Sequence, residues 1–191
     1  MGLDMYLERR SYVKNWDFKG PEERFDVQVK RDGKTPGGIE PSRITYITEE
    51  MGYWRKANAI HQWFVDNCAD GVDECQPIYV EIDMLKKLKE VCIEVRDSII
   101  GKPLVDKEVV IGWGPEGDMK GTHKVYASFY TKLAEELLPT QEGFFFGNTE
   151  YDEYYLEMLE DTIRIIDDCL AAEEKAEQDK VWSDFYYQAS W

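Results

Sequence analysis

The stretch from Tyr53 to Phe64, YWRKANAIHQWF, concentrates side chains able to handle a small molecule. Trp54 can stack on a planar ring, Arg55 or Lys56 can meet negative charge, and Asn58 and His61 can exchange hydrogen bonds at the edge of a heterocycle. That mixture suits a small anionic or nucleotide-like ligand. A second group lies in LPTQEGFFFGNTEYDEYY, where Asn148, Thr149 and the free amides of a helix start form an anion-accepting end that glycines leave open to approach. Tyr151 adds an aromatic wall from the same segment. Glu150, Asp152 and Glu153 already occupy that helix dipole, which argues against a bare phosphate site.

Each group has a plainer alternative. Asn58 and His61 can close the edge of a core by bonding to nearby backbone, since buried polar groups are normally satisfied. The three phenylalanines between Gly143 and Gly147 can be a buried strand or a packed loop. Familiar catalytic signatures are absent: there is no GxxxxGK[ST], GxSxG or HExxH. Gly112, Gly114 and Gly117 have the spacing of GxGxxG, but Pro115 removes an amide donor and no helix is predicted directly after them. Cys68, Cys75, Cys92 and Cys169 form no CxxC pair, and His61 and His123 are the only histidines, so neither a metal site nor a cofactor is expected. Cys92 and Cys169 fall among apolar residues at helical spacing and read as reduced core thiols.

The elements that must position these residues follow from periodicity. Leu3, Met5 and Leu7 alternate with Asp4, Tyr6 and Glu8 as a half-buried strand does. Phe25, Val27 and Val29 repeat the pattern before the turn pair Asp32-Gly33, and residues 43–48 give a third strand, with Val27 and Ile44 expected in the same core as Leu3. From Thr48 a helix is predicted that carries the opening motif, placing Tyr53, Ala57, Ile60 and Phe64 on its core face and Trp54, Asn58 and His61 on the adjoining stripe, partly exposed along a cleft. A strand through Ile78, Val80 and Ile82 comes next. Asp83 then caps a helix buried through Leu85, Leu88, Cys92, Val95 and Ile99. Residues 101–124 hold five glycines and two prolines and read as a strand at 109–113 followed by a protruding loop. A short helix stops at Pro139. A long helix begins near Glu150, capped by Thr149 with Asp152, and buries Tyr151, Tyr155, Leu159, Thr162, Ile166 and Leu170.

Its other face carries Glu153, Glu157, Glu160, Asp161, Asp167 and Asp168. Net charge is −16, and it is unevenly spread: residues 1–66 balance 11 basic against 11 acidic groups, whereas residues 139–191 hold 3 against 14. Broad nucleic-acid or anionic-lipid binding is therefore disfavoured. A row of carboxylates can instead occupy a basic groove on another protein, with Glu153, Glu157, Glu160, Asp161 and Asp168 as the contacts. No apolar run approaches the length of a membrane span and MGLDMYLERR lacks signal-peptide features, so a soluble intracellular chain is expected.

MGLDMYL, YVKNW, GYWRKANAIHQWFVDN, ELLPTQEGFFFGNTEYDEYY and DFYYQASW together resemble an uncharacterised family of small proteins encoded by bacteriophages and prophages. The resemblance implies an accessory role in the host bacterial cytoplasm, and it implies that the Tyr53–Phe64 and Gly143–Tyr155 segments belong to one constellation. The expectation is a single α+β domain over residues 1–191, with a small, mostly antiparallel sheet packed against about four helices, the last of them long and acidic. The leading function is non-catalytic binding of a small anionic or nucleotide-like ligand, antagonising a host defence signal. The alternatives are an acidic inhibitor of a basic host protein and a nucleotide-processing enzyme with His61 as acid or base.

Overall fold

The computed structural model describes residues 2–114, 117–143 and 145–191. Met1, Phe144, Pro115 and Glu116 lie outside them, and so do the readings that rest on Pro115 in the glycine-rich spacing and on Phe144 in the phenylalanine run.

The chain is α+β. Strand β1 (Asp4–Tyr12) lies inside a four-stranded antiparallel sheet of order β2-β1-β6-β3. Its alternation is the predicted one, and Leu3, Met5 and Leu7 are wholly buried. Strand β2 (Tyr46–Arg55) pairs with one edge of β1, and β6 (Ser183–Ser190) pairs with the other. The short β3 (Ile78–Val80) adds to the far side of β6. DFYYQASW is thus an inner strand, not foreseen, although Phe185, Tyr187 and Ala189 bury alternately as a strand requires.

Four α-helices accompany this sheet: α1 (Asn58–Cys68), α2 (Ile82–Ile99), α3 (Lys132–Leu137) and α4 (Glu153–Gln178). α2 and α4 pack on each other. Leu85, Leu88, Cys92, Val95 and Ile99 of α2 are fully buried at the predicted spacing, and so are Leu159, Thr162 and Ile166 of α4. Phe64 of α1 stacks on Tyr187 of β6 with ring centroids 4.1 Å apart, which ties the motif helix to the sheet. Burying rings of this size contributes roughly 1.5–3 kcal/mol each.

Several boundaries differ from expectation, for identifiable reasons. Residues 24–30 belong to no ladder, and β1 is paired on its two edges by β2 and β6 instead. Phe25, Val27 and Val29 are only half-buried there, and the Asn15 side chain holds Phe25 through its N–H (2.9 Å) and its carbonyl (2.8 Å). The turn at Asp32-Gly33 does form, with φ of 51° and 75°, and it closes a single bridge between Arg31 and Lys34. Ile44 follows a 3-10 turn (Pro41–Arg43) and is half-buried, outside the core.

The helix predicted from Thr48 is strand as far as Arg55. Pairing with β1 overrides the local period, and a bulge opposite Leu7 and Glu8 absorbs Met51, shifting the face that later residues present. The long helix starts at Glu153, not Glu150. Asp152 is its cap, with Oδ1 accepting the Tyr155 N–H at 2.9 Å, because a carboxylate at that position satisfies a free amide directly. α2 is preceded by Glu81, so Asp83 lies within its first turn. β4 (Leu104–Gly114) and β5 (Gly117–Tyr126) pair antiparallel as a two-stranded hairpin, where one strand and a loop were expected. The hairpin is anchored at its base, where Val125 and Tyr126 are buried and the Tyr126 N–H donates to the carbonyl of Tyr151 at 2.8 Å.

Candidate functional site

Trp54, Asn58 and His61 do not line an open cleft. Their residual exposures are 4%, 4% and 1%, which corrects the expectation that they stand partly exposed. Trp54 sits on β2, where its indole N–H donates to Thr162 Oγ1 at 2.9 Å, and that hydroxyl donates in turn to the carbonyl of Met158. Asn58 opens α1 and staples the chain around it: its Nδ2 donates to the carbonyls of Phe146 (3.0 Å) and Asn148 (2.9 Å), and its Oδ1 accepts the Gln141 N–H (2.9 Å). The Leu3 N–H donates to the carbonyl of Phe145. The motif helix and the 141–148 segment are therefore in contact, and the contact is architectural.

His61 is held from both sides. Its Nδ1 lies 2.8 Å from the Tyr187 hydroxyl and its Nε2 lies 3.0 Å from Asp73 Oδ2. A carboxylate accepts only, so the network assigns the neutral ring's proton to Nε2 and leaves Nδ1 to accept from Tyr187. Desolvation pushes the Tyr187 phenol well above its ordinary range, consistent with a hydroxyl that donates. With both nitrogens hydrogen-bonded and 1% exposure, His61 presents no open ring edge to solvent. Arg55 and Lys56, by contrast, are on the surface; Arg55 faces Asp4 at 4.0 Å.

A cleft of about 580 Å³ opens elsewhere, between the β4–β5 hairpin and residues 142–150, lined by Val109, Val110, His123, Asn148, Thr149 and Glu150 among others. His123, on its wall, forms a pair that the sequence did not single out. His123 Nε2 lies 2.8 Å from Asp152 Oδ2, with the His123 side chain 41% exposed and that of Asp152 only 6% exposed. Asn148 Nδ2 approaches the same oxygen at 3.3 Å, while the other oxygen caps α4. The carboxylate is fixed by three donors, so it fixes the imidazole. No partner for His123 Nδ1 exists among the described residues. Lys107 binds Glu150 at 2.6 Å across the hairpin. The signal for His123 was the alternation of half-buried Gly121 and His123 with exposed Thr122 and Lys124, hidden by reading this region as a loop.

Of the predicted site residues, the cleft gathers Asn148 and Thr149. Tyr151 is half-buried behind it, edge-on to Tyr155 at 4.8 Å. Glu153, Glu157, Glu160, Asp161 and Asp168 are exposed along α4, Asp161 pairing with Arg164 at 3.0 Å. Cys92 and Cys169 are fully buried, and desolvation pushes the Cys169 thiol up to about 12 and raises Cys92 as well. Among the described residues no group of three or more His, Cys, Asp or Glu is placed to hold a metal ion, and no helix is long and apolar enough to cross a membrane. No protein-family model, curated protein or solved structure matches the chain.

Proposed function

We propose that the chain is an accessory binding protein for a small nucleotide-like ligand, seated in the cleft between the β4–β5 hairpin and residues 142–150. The observation that carries this reading is His123: a two-fifths exposed imidazole, oriented by a buried carboxylate, on the wall of a cleft of ligand size. Asn148 and Thr149 add hydrogen-bonding groups, and Val109 and Val110 offer an apolar surface for a ring. Glu142 suits a hydroxyl donor such as those of a sugar, whereas both oxygens of Glu150 are held by Lys107. Glu142 and the nearby Asp152 oppose a dense cluster of phosphates, so the nucleoside part of the ligand carries recognition and any charge on it is small. In the phage setting that the sequence resemblance implies, such a protein antagonises a host defence signal by sequestering it.

Calorimetric titration with nucleosides and their mono- and triphosphates tests this. A nucleoside or monophosphate is expected to bind the native chain and to lose at least tenfold in affinity in His123→Ala, measured where that variant is still folded because the change takes a donor from the buried Asp152 carboxylate. Equal affinity in the two proteins, or no binding across the panel, refutes the reading.

The rival reading, a basic host protein held by α4, draws on the exposed row of Glu153, Glu157, Glu160, Asp161 and Asp168. Neutralising Glu157, Glu160, Asp161 and Asp168 together abolishes partner capture if that face is the site, and leaves nucleoside binding intact if the cleft is.

A further inference from the structure

A second cleft, of about 710 Å³, belongs to neither group of residues considered so far. It lies where the end of α4 turns into β6, and its walls include Tyr12, Tyr46 and Trp182 with Glu173, Glu177 and Asp184. Tyr12 and Tyr46 face each other across β1 and β2, ring centroids 5.2 Å apart and nearly perpendicular, so they make a corner. The Tyr12 hydroxyl is held by the indole N–H of Trp16 at 2.8 Å. Trp182 is 84% exposed, although its backbone is fixed by the Tyr12 N–H bonding to its carbonyl at 2.8 Å. An anchored residue that leaves so large an apolar ring uncovered has surface available to a ligand.

The chemistry of the walls names the ligand class. Aromatic faces carry negative quadrupole potential and attract cations, most strongly when the cation is shed of water. The carboxylates here point the same way. Glu173 accepts a hydrogen bond from the Ser183 hydroxyl, whereas Glu177 and Asp184 make no side-chain hydrogen bond or ion pair among the described residues, Glu177 interacting only at longer range with Lys86. Lys180 is the one cation on the lining, against three acids. Lys19, from outside the cleft, already lies 5.8 Å from the Tyr12 ring centroid, so a cation is drawn to that ring within the chain itself. The geometry points to a binding site for a small organic cation, an alkylated ammonium group held between Trp182 and the Tyr12–Tyr46 corner with Glu177 and Asp184 supplying counter-charge. The site is separate from the His123 cleft, so either can fail without the other.

Choline is the probe, titrated calorimetrically into the full chain beside the neutral alcohol in which carbon replaces choline's nitrogen. Choline is expected to bind saturably and the alcohol at least tenfold more weakly. Trp182→Ala should weaken choline about three- to fivefold, the scale of a cation–indole contact at an exposed site, with an unchanged melting temperature because the ring is exposed. Glu177→Gln should weaken it a further severalfold and reduce its salt dependence. Equal affinity for the alcohol, undiminished affinity in Trp182→Ala, or no saturation with choline overturns the assignment.

Discussion

Replacing His61 by alanine separates architecture from site more sharply than any other single change. The ring is 1% exposed and bridges Tyr187 and Asp73, packing edge-on against Phe146 at 5.2 Å. Its removal strands the hydroxyl of Tyr187, a residue with no exposed surface, and a stranded buried hydroxyl costs about 1–3 kcal/mol. The cavity left among Phe146, Phe64 and Tyr187 adds about 1 kcal/mol. Asp73, 26% exposed on its side chain and within 3.4 Å of the Trp191 indole nitrogen, turns to water and the indole at little further loss. The expected total is about 2–4 kcal/mol, which for a chain of this length lowers the melting temperature by roughly 5–15 °C. Urea unfolding at neutral pH measures it, provided the slope stays constant. Pairing His61→Ala with Tyr187→Phe should recover about 1 kcal/mol relative to the sum of the single changes, because the stranded hydroxyl is gone. A loss below about 0.5 kcal/mol, the scale of an ordinary surface change, would refute the assignment of His61 to the core.

Two further outcomes follow from packing and from the thiols. A Cβ at Gly52 would stand 3.0 Å from Ile165 Cδ1 and closer still to its Cγ2, so Gly52→Ala should destabilise by about 1–3 kcal/mol through overpacking; combining it with Ile165→Ala should cost less than the two losses added, and simple additivity in urea midpoints would count against the close approach. Desolvation raises Cys68 to about 11 and Cys169 to about 12 from an ordinary 9.0, so the native thiols keep their protons where unfolded ones lose them. Above about pH 9 the native state binds more protons than the unfolded state, the slope of stability with pH is negative, and the urea midpoint should fall between about pH 9 and pH 10. The raised phenols of Tyr155 and Tyr187 act in the same direction. A midpoint that holds or climbs over that range contradicts the burial of these groups.

What the sequence makes legible depends on whether a segment's partner is local. α2 could be read residue by residue because its five core positions repeat within one helix, and β1 could be read because alternation survives wherever one face is buried. The Thr48–Arg55 segment could not, since its strand state comes from pairing with Asp4–Arg10, far earlier in the chain, and its register from a bulge. The same long-range pairing hid β6. Asn58 and Asn148 were chosen as ligand-facing by residue type, and they do meet, but the acceptors of Asn58 are backbone carbonyls that no pattern reveals. His123 was missed for the complementary reason: its significance comes from Asp152, 29 residues away and brought beside it by the anchoring of the hairpin base on Tyr151.

The two histidines make the point in one comparison. Each presents Nε2 to an aspartate, His61 to Asp73 at 3.0 Å and His123 to Asp152 at 2.8 Å, so the distance alone assigns them the same role. Their surroundings are reversed. Around His61 the histidine is buried and the aspartate partly exposed, and Tyr187 consumes the second nitrogen; nothing remains for a ligand. Around His123 the aspartate is buried and pinned by the start of α4, while the histidine side chain is two-fifths exposed and its second nitrogen has no partner among the described residues. A carboxylate held in the interior that orients an imidazole at the surface is the arrangement that leaves hydrogen-bonding capacity for another molecule. That asymmetry, rather than the density of polar residues in YWRKANAIHQWF, is the reason for placing the ligand against β5.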